Sequence, residues 1–182
     1  MAFLEDYKAH VAERETLGVP PLPLSAEQTA ELIELIKADC TDELLDLLTN
    51  RVAPGVDDAA YVKAAFLNDV AAGNVAVAAI APQKAVEMLG MMLGGYNVKP
   101  MIDALSSSNA AVVEAAVTAL NKTLLVYDAF NDVEELHKAG NAAATEVMTS
   151  WANAEWFTHK PALAEEITVT VYKVPGETNT DD

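Results

Sequence analysis

The most constraining feature of this sequence is a long apolar stretch with helical periodicity, from Pro82 to Phe130. After Ser108 the apolar residues recur at the spacing of one helix, and charge enters only at Glu114 and Lys122. A helix with so little polar surface must be covered by neighbouring helices on most of its sides. The stretch therefore predicts three packed helices at the centre of an all-α fold.

The glycines, prolines and alanines of this stretch predict how its helices are joined and packed. Gly94-Gly95 is expected to end the helix that begins at Pro82, and Pro100 suits the first turn of the next helix. Small side chains on the later helices would let their axes approach closely, as in stacked helical hairpins. They are Ala104, Ala110, Ala111, Ala115, Ala116 and Ala119. The fold predicted for residues 1–160 is a HEAT-like α-α superhelix.

The segments on either side of the central stretch predict amphipathic helices with recognisable caps. Ser25, Thr41, Asp57 and Asn141 each stand directly before a helical pattern, as N-cap residues do. The helix after Asp57 is expected to turn Tyr61, Val62, Ala65, Phe66 and Val70 inward. The first helix is expected to bury Leu4, Tyr7, Val11 and Ala12, and a later helix is expected to begin at Asn131.

Composition excludes several classes of function. The formal net charge of -17 at pH 7 repels phosphate backbones and anionic bilayers, which argues against direct nucleic-acid or membrane binding. Cys40 is the single cysteine, so it cannot form an internal disulfide or hold an iron-sulfur cluster alone. No secretory signal and no apolar run of about 18 residues is visible. We therefore expect a cytoplasmic protein.

The last part of the chain changes from helical to alternating periodicity. Ile167, Val169 and Val171 alternate with polar or amphipathic residues, which predicts a β-strand. A lone strand leaves its backbone hydrogen bonds unsatisfied, so it calls for a sheet that these residues do not supply. We interpret residues 161–182 as a linker and the first strand of a following domain, or as a strand that joins a partner's sheet.

Motifs with the spacing of chemical sites have structural interpretations that we favour. Glu134 and His137 have the spacing of half a di-iron site, but a second copy is missing, so a solvated helix face is expected. Gly94-Gly95-Tyr96 lacks the lysine and hydroxyl residue of a phosphate loop. Two acid–histidine pairs at helical spacing predict local contacts only. They are Asp6 with His10 and Glu155 with His159. We predict no catalytic, cofactor-binding or metal-binding residue in this chain.

Large aromatic residues cluster near the end of the helical region. Trp151, Trp156 and Phe157 follow one another within seven residues of sequence. Exposed aromatic side chains of this size often mark a protein interface. These three residues are therefore the candidate interface of the chain.

Four stretches resemble the N-terminal part of the bacterial aconitase B family, also called aconitate hydratase 2 or 2-methylisocitrate dehydratase. The stretches are LLDLLTNRVAPGVDDAAYVKAAFL (Leu44–Leu67), GGYNVKPMIDAL (Gly94–Leu105), VMTSWANAEWF (Val147–Phe157) and KPALAEEITVTVYKVPGETNTDD (Lys160–Asp182). The resemblance covers essentially the whole chain. It departs from the family at Lys99, where a histidine is expected.

The resemblance implies a HEAT-like domain followed by an α/β swivel domain and by catalytic domains that hold a 4Fe-4S cluster. The parent enzyme would interconvert citrate and isocitrate through cis-aconitate in the tricarboxylic acid cycle, with the cluster iron as Lewis acid. The cluster ligands would lie beyond Asp182, so residues 1–182 alone are expected to be inactive. Family members also bind messenger RNA when the cluster is lost, a contact that this acidic segment is not expected to make.

For this chain the resemblance implies a role in contacts: with the swivel and catalytic domains of the parent chain, with a second subunit in a homodimer, and with other metabolic enzymes. An alternative remains open from the residues alone. The chain could be a free-standing acidic helical-repeat adaptor that pairs its terminal strand with a partner's sheet.

Overall fold

The structure is a computed structural model that describes residues 2–159. Within these residues the chain is helical and contains no β-strand, which confirms the predicted all-α class. The predicted strand at 167–171 and the domain boundary after residue 160 lie outside the described residues. The helices of the described part are α1 (Ala2–Thr16), α2 (Ala26–Ala38), α3 (Asp42–Asn50), α4 (Asp58–Ala71), α5 (Pro82–Gly90), α6 (Val98–Ala104), α7 (Ala110–Lys122), α8 (Val126–Lys138), α9 (Ala142–Asn153) and α10 (Glu155–Thr158).

The helices stack in a continuous row, as predicted for helical hairpins. Helix α2 packs on α4, α4 on α5, α5 on α7 and α7 on α9. The remaining helices lie against this row: α3 on α2, α6 on α5 and α7, and α8 on α9 and α6. The hairpin of α8 and α9, with the short α10, is the last unit of the described chain.

The central helix α7 is covered on most of its sides, as its sequence predicts, and keeps one exposed stripe at Glu114, Thr118 and Asn121. Val112, Ala116 and Leu120 are fully buried within the core. Small residues bring α5 and α7 together: a methyl group added at Gly90 would lie only 2.7 Å from the Cβ of Ala119. Close-packed interiors leave no room for such an added group, so small side chains set the spacing of these helices.

The predicted caps are present. Ser25 accepts a hydrogen bond from the backbone N–H of Gln28, while the Gln28 side chain accepts one from the Ser25 N–H, completing a capping box. Thr41, Asp57 and Asn141 each accept a hydrogen bond from the third residue that follows them. The starts of α2, α3, α4 and α9 are therefore fixed by local chemistry.

Two predicted helix boundaries are wrong, the end of α5 and the start of α8. Helix α5 ends at Gly90, not at Gly94-Gly95. The buried side-chain amide of Asn97 donates to the carbonyls of Leu89 and Met92, and these bonds replace further helical hydrogen bonds at the end of α5. Helix α8 begins at Val126, not at Asn131. Ala129, in the first turn of this helix, is completely buried. Packing therefore starts the helix five residues before Asn131 and the acidic residues that follow it.

The predicted inward face of α4 is partly wrong. Tyr61 and Ala65 are exposed, whereas Phe66 and Val70 are buried as expected. Lys63 is buried in their place, with only 5% of its surface exposed, and burial lowers its pKa to about 8. Its Nζ donates to the carbonyl of Thr49 near the end of α3 at 3.4 Å.

The predicted apolar stripe of α1 needs a similar correction. Tyr7 is buried and Leu4 and Val11 are half-buried, but Ala12 is exposed. Phe3 is buried instead and belongs to the core. The helix therefore docks through its first two turns, and its last turn faces solvent.

Candidate functional site

An apolar groove of about 540 Å³ lies where α8, α9 and α10 meet. We call it the aromatic groove. Its lining residues carry no formal charge, so it suits an apolar occupant better than an ionic one. They are Val126, Tyr127, Phe130, Asn131, Met148, Trp151, Ala152, Trp156 and Phe157.

Trp151 forms the floor of the aromatic groove. It is 5% exposed, and its indole Nε1 donates to the carbonyl of Leu120 on α7 at 2.9 Å. This bond satisfies the one polar atom of the ring and ties α9 to the central helix. Asn141, at the start of α9, donates across the stack to the carbonyl of Leu105 at 3.1 Å. Both contacts give the groove a rigid base.

Trp156 and Phe157 form one wall of the groove on the short helix α10. They are 62% and 57% exposed, and their rings meet edge to face with centroids 5.9 Å apart. Helix α10 follows α9 almost directly, and its first turn is closed by the N–H of Phe157 bonding to the carbonyl of Ala154 at 2.9 Å. The structure therefore brings all three predicted interface residues to one groove, with Trp151 as a buried floor.

Sequence reasoning missed the opposite wall of the groove. Tyr127 and Phe130 lie on α8, and Tyr127 is 95% exposed. They were missed because the helix was expected to begin only at Asn131. Their spacing of three residues, which places two aromatic rings on one helix face, is the signal that would have found them.

The cost of this exposure indicates a binding surface. Aromatic side chains bury about 150–250 Å² each when they are covered, and apolar burial stabilises by about 25 cal/mol per Å². Trp156, Phe157 and Tyr127 leave most of that surface in water. Contiguous exposed apolar patches of this kind mark interaction sites in soluble proteins. The groove is therefore a candidate surface for an apolar segment of protein.

A second exposed aromatic cluster has a different construction. The loop between α3 and α4, residues 51–57, is held by the hydroxyl of Tyr96, which lies 3.1 Å from the carbonyl of Pro54 and 2.5 Å from that of Gly55. The ring of Tyr96 packs on Tyr61, with centroids 4.7 Å apart. Burial, then the charge of Asp57, raises the pKa of Tyr96.

The Gly94-Gly95-Tyr96 motif allows the Tyr96 hydroxyl to reach the loop between α3 and α4. A side chain at Gly94 would collide with the ring of Tyr96, and Gly95 has a φ of 81°, which favours glycine. The motif is therefore neither a phosphate loop nor the cap of α5. It shapes the loop that delivers Tyr96 to the carbonyls of residues 54 and 55.

The remaining candidate motifs have local partners. Glu134 forms an ion pair with Lys138 at 2.9 Å, and His137 Nδ1 lies 2.9 Å from the hydroxyl of Thr145. His10 Nε2 accepts a hydrogen bond from the N–H of Leu22 at 3.0 Å. Each contact is a structural one within a helix, between neighbouring helices, or between a helix and the connector that follows it.

Lys99, where the resemblance led us to expect a histidine, forms an ion pair with Asp103 one turn later on α6. This hydrogen bond raises the pKa of the lysine. Both side chains are exposed, so the pair contributes little to stability.

Two further classes of site are absent from residues 2–159. No three His, Cys, Asp or Glu side chains in this part of the chain gather closely enough to hold a metal ion. None of its helices combines the length and the apolar character needed to cross a bilayer.

Comparison with known proteins places the chain within one family. Residues 6–157 match the family model described as the Aconitate B N-terminal domain. The chain is 57% identical over 182 residues to aconitate hydratase B of Escherichia coli strain K12. The matched region covers 98% of this chain and 21% of that protein. It is 54% identical to aconitate hydratase B of Synechocystis sp. strain PCC 6803 and 46% identical to that of Helicobacter pylori strain J99. The chain thus spans about a fifth of the length of these relatives.

Proposed function

Because the chain belongs to the Aconitate B N-terminal domain family, we propose that it is the non-catalytic, protein-binding domain of an aconitate hydratase. The parent enzyme would interconvert citrate and isocitrate through cis-aconitate. In this proposal the domain makes contacts with the rest of its own chain and with a second subunit, and it offers a surface to other metabolic enzymes.

The observation that carries this proposal is the aromatic groove. Trp156, Phe157 and Tyr127 expose large rings around a base fixed by the Trp151 bond to Leu120. Rigid aromatic residues of this kind dominate binding energy when a partner covers them. A stack of helical hairpins also presents broad surfaces that are well suited to protein contacts.

The described residues do not fit an iron-sulfur cluster. Such a cluster needs several cysteine thiolates, whereas Cys40 is the single cysteine of the sequence. Burial, followed by the charges of Asp39 and Asp42, raises the pKa of its thiol and so disfavours the thiolate that binds iron. We therefore derive no catalytic step from these residues and assign the cluster of the parent to residues beyond Asp182.

The acidity of the domain also bears on nucleic acid. With a formal net charge of -17, it would repel a phosphate backbone, so messenger RNA binding by the cluster-free parent would fall to other parts of that protein. Salt-dependent binding of RNA by residues 1–182 would contradict this assignment.

A turnover assay tests the non-catalytic role. We expect purified residues 1–182 to form no cis-aconitate from citrate or isocitrate, with or without iron and sulfide, as followed by ultraviolet absorbance. The holoenzyme of a relative, such as aconitate hydratase B of Escherichia coli, serves as the positive control. Turnover that survives dialysis and copurifies with the chain would overturn the proposal.

Sedimentation equilibrium tests the binding role. We expect residues 1–182, with a monomer mass of 19.3 kDa, to sediment as a dimer whose population grows with concentration. A strictly monomeric chain that also fails to bind the remaining domains of its parent would contradict a domain built for contacts.

A further inference from the structure

A second groove, of about 630 Å³, lies where α1, α2 and α4 meet, at the opposite end of the helical row from the aromatic groove. Phe3, Ile33 and Phe66 form its buried floor. Leu35 and Val62 also line it, and both are half-buried, so they keep apolar surface that a partner can cover. Its volume falls within the range of about 300–1,000 Å³ that is typical of binding clefts.

Carboxylates line this second groove on two sides. Glu31 and Glu34 are exposed on α2, and Asp69 is half-buried on α4, where it accepts a hydrogen bond from the Asn74 side chain at 3.3 Å. Among the described residues that line the groove, Lys37 is the one base, and it already pairs with Glu34 at 2.8 Å. Three carboxylates against one ammonium group leave a formal charge of -2, so we call this the acidic groove.

The helical spacing of the lining residues indicates the shape of an occupant. Val62, Phe66 and Asp69 follow one another at intervals of four and three residues, which places them on one face of α4. Glu31 and Leu35 are four residues apart on α2 in the same way. A groove between two helix faces suits a third helix whose own apolar stripe has this spacing.

The charges of the acidic groove favour a basic protein segment over other occupants. Within residues 2–159 no three His, Cys, Asp or Glu side chains gather closely enough to hold a metal ion, so these carboxylates act as separate charges. A second copy of the chain carries the same formal net charge of -17, and like charges oppose its entry. Lysine and arginine side chains complement such a rim while their aliphatic neighbours cover the floor.

From these observations we propose that the acidic groove binds a helical segment of a partner protein that has aliphatic side chains along one face and lysine or arginine on either side of that face. The aliphatic side chains pack on Leu35 and Val62, and the cations lie at Glu31 and Asp69. This inference rests on the proposed function, since it names the chemistry of a partner that the domain accepts.

Fluorescence anisotropy with a labelled synthetic peptide tests the proposal. The peptide is an amphipathic helix with leucine on one face, flanked by lysine and arginine. We expect it to bind residues 1–182, and an increase of salt from about 50 to about 500 mM should weaken binding roughly tenfold, because salt screens exposed charges. Absence of binding at about 1 mM peptide, which corresponds to an affinity weaker than about 4 kcal/mol, would overturn the proposal.

Two companion peptides separate the two parts of the recognition. One has glutamate in place of the basic residues, and the other has serine in place of leucine. Each should bind roughly tenfold more weakly than the parent peptide, since one loses the charge complementarity and the other the apolar contact. Equal binding of the serine peptide would reduce the contact to attraction between opposite net charges and would overturn the proposal.

Paired charge reversals locate the binding surface. Glu31→Lys combined with Glu34→Lys reverses two exposed charges of the acidic groove and should weaken binding roughly tenfold. Glu114→Lys combined with Glu146→Lys is the matched control, because it makes the same change of net charge at exposed positions of α7 and α9, toward the other end of the row. This control should bind within about twofold of the unmodified chain. Equal losses in the two double variants would overturn the proposal.

Ala30→Trp tests the shape of the acidic groove at unchanged charge. Ala30 lines the groove and is exposed, so the added ring fills the groove without entering the core. Binding should fall roughly tenfold, and unchanged binding would overturn the proposal. Failure of the proposal would leave the proposed function standing, because sedimentation tests contacts between copies separately. Turnover by the chain would sink that function and not the groove.

Discussion

The loop between α3 and α4 and the aromatic groove both expose large apolar side chains, but they are built in opposite ways. In the loop, Val56 is 72% exposed, yet the backbone around it is fixed by the Tyr96 hydroxyl and by the N–H of Leu93, which donates to the carbonyl of Pro54 at 2.9 Å. In the groove, Trp156 is 62% and Tyr127 is 95% exposed, and the residues that line the groove carry no formal charge.

This difference teaches that exposure alone does not identify a binding surface. The Tyr96 ring serves the fold, because its hydroxyl already bonds to carbonyls that lie about forty residues away in sequence. Within residues 2–159 the buried Trp151 makes such a bond, whereas the exposed rings of Trp156 and Tyr127 make none. We therefore expect substitutions near the loop to change stability and substitutions at the groove walls to change binding.

The largest effect is expected at Gly94. Gly94→Ala would place a methyl group in the ring of Tyr96, so the ring must leave the carbonyls of Pro54 and Gly55. Lost hydrogen bonds and local overpacking together should lower the free energy of unfolding by about 2–3 kcal/mol. Urea denaturation monitored by circular dichroism measures this change.

Gly55→Ala is the matched control in the same cluster. A methyl group there would meet its nearest neighbour, Asp57, at an ordinary contact distance of 3.8 Å. Its effect should stay within about 0.5 kcal/mol. Equal destabilisation by both variants would show that Tyr96 does not clamp the loop.

A pH-dependent effect is expected from Lys63, whose Nζ donates to the carbonyl of Thr49 near the end of α3. Its pKa is lowered to about 8 by burial, from 10.5 in the unfolded chain. Between these values the unfolded chain binds a proton that the folded chain has released, so stability rises with pH across this window. The rise should be on the order of 2 kcal/mol and should be absent in Lys63→Met. If the stability of the two proteins changed equally between pH 8 and 10.5, the pKa of Lys63 would not be lowered by burial.

The two tryptophans of the groove offer a paired test. Trp151→Phe removes the hydrogen bond to Leu120 and part of the floor, and should cost about 1–2 kcal/mol of stability. Trp156→Phe, on the exposed wall, should change stability by less than about 0.5 kcal/mol. Thermal and urea unfolding of both variants measure the difference. If Trp156→Phe were the more destabilising change, the wall would be part of the core.

The smallest effect is expected from Tyr96→Phe. Loss of the hydroxyl leaves carbonyls that water can partly reach, so the cost should be about 1 kcal/mol. Because the pKa of Tyr96 is raised above 10.0 in the folded chain, its contribution is complete below pH 10 and falls as pH rises further. Tyr96→Phe should therefore flatten the loss of stability above pH 10. If Tyr96→Phe left the dependence of stability on pH above pH 10 unchanged, the Tyr96 hydroxyl would not contribute to it.

Local signals in the sequence predicted the fold class, the caps and the central helices. As helix caps, Ser25, Asp57 and Asn141 accept hydrogen bonds from residues only three positions further along, so their capping role could be recognised from sequence alone. The end of α5 could not, because Asn97 closes that helix from a distance of eight residues along the chain.

The candidate site was predicted in part for the same reason. Trp156 and Phe157 stand together in sequence, whereas Tyr127 reaches the groove only because α8 starts early and packs on α9. The burial of Lys63 and the exposure of Tyr61 depend on which side of α4 meets its neighbours. Periodicity gives the width of an apolar face but locates its edge only to within about one residue.

Acrylamide quenching of tryptophan fluorescence in residues 1–182, repeated over a hundredfold dilution, tests the central claim most directly. Trp151 is buried and contributes little to quenching, so the signal reports Trp156, and the Trp156→Phe chain supplies the background. If the aromatic groove is a contact surface between copies of the chain, Trp156 will be shielded from quencher at high protein concentration and will become accessible on dilution. A Trp156 that is quenched as readily as free indole at every protein concentration would contradict that claim.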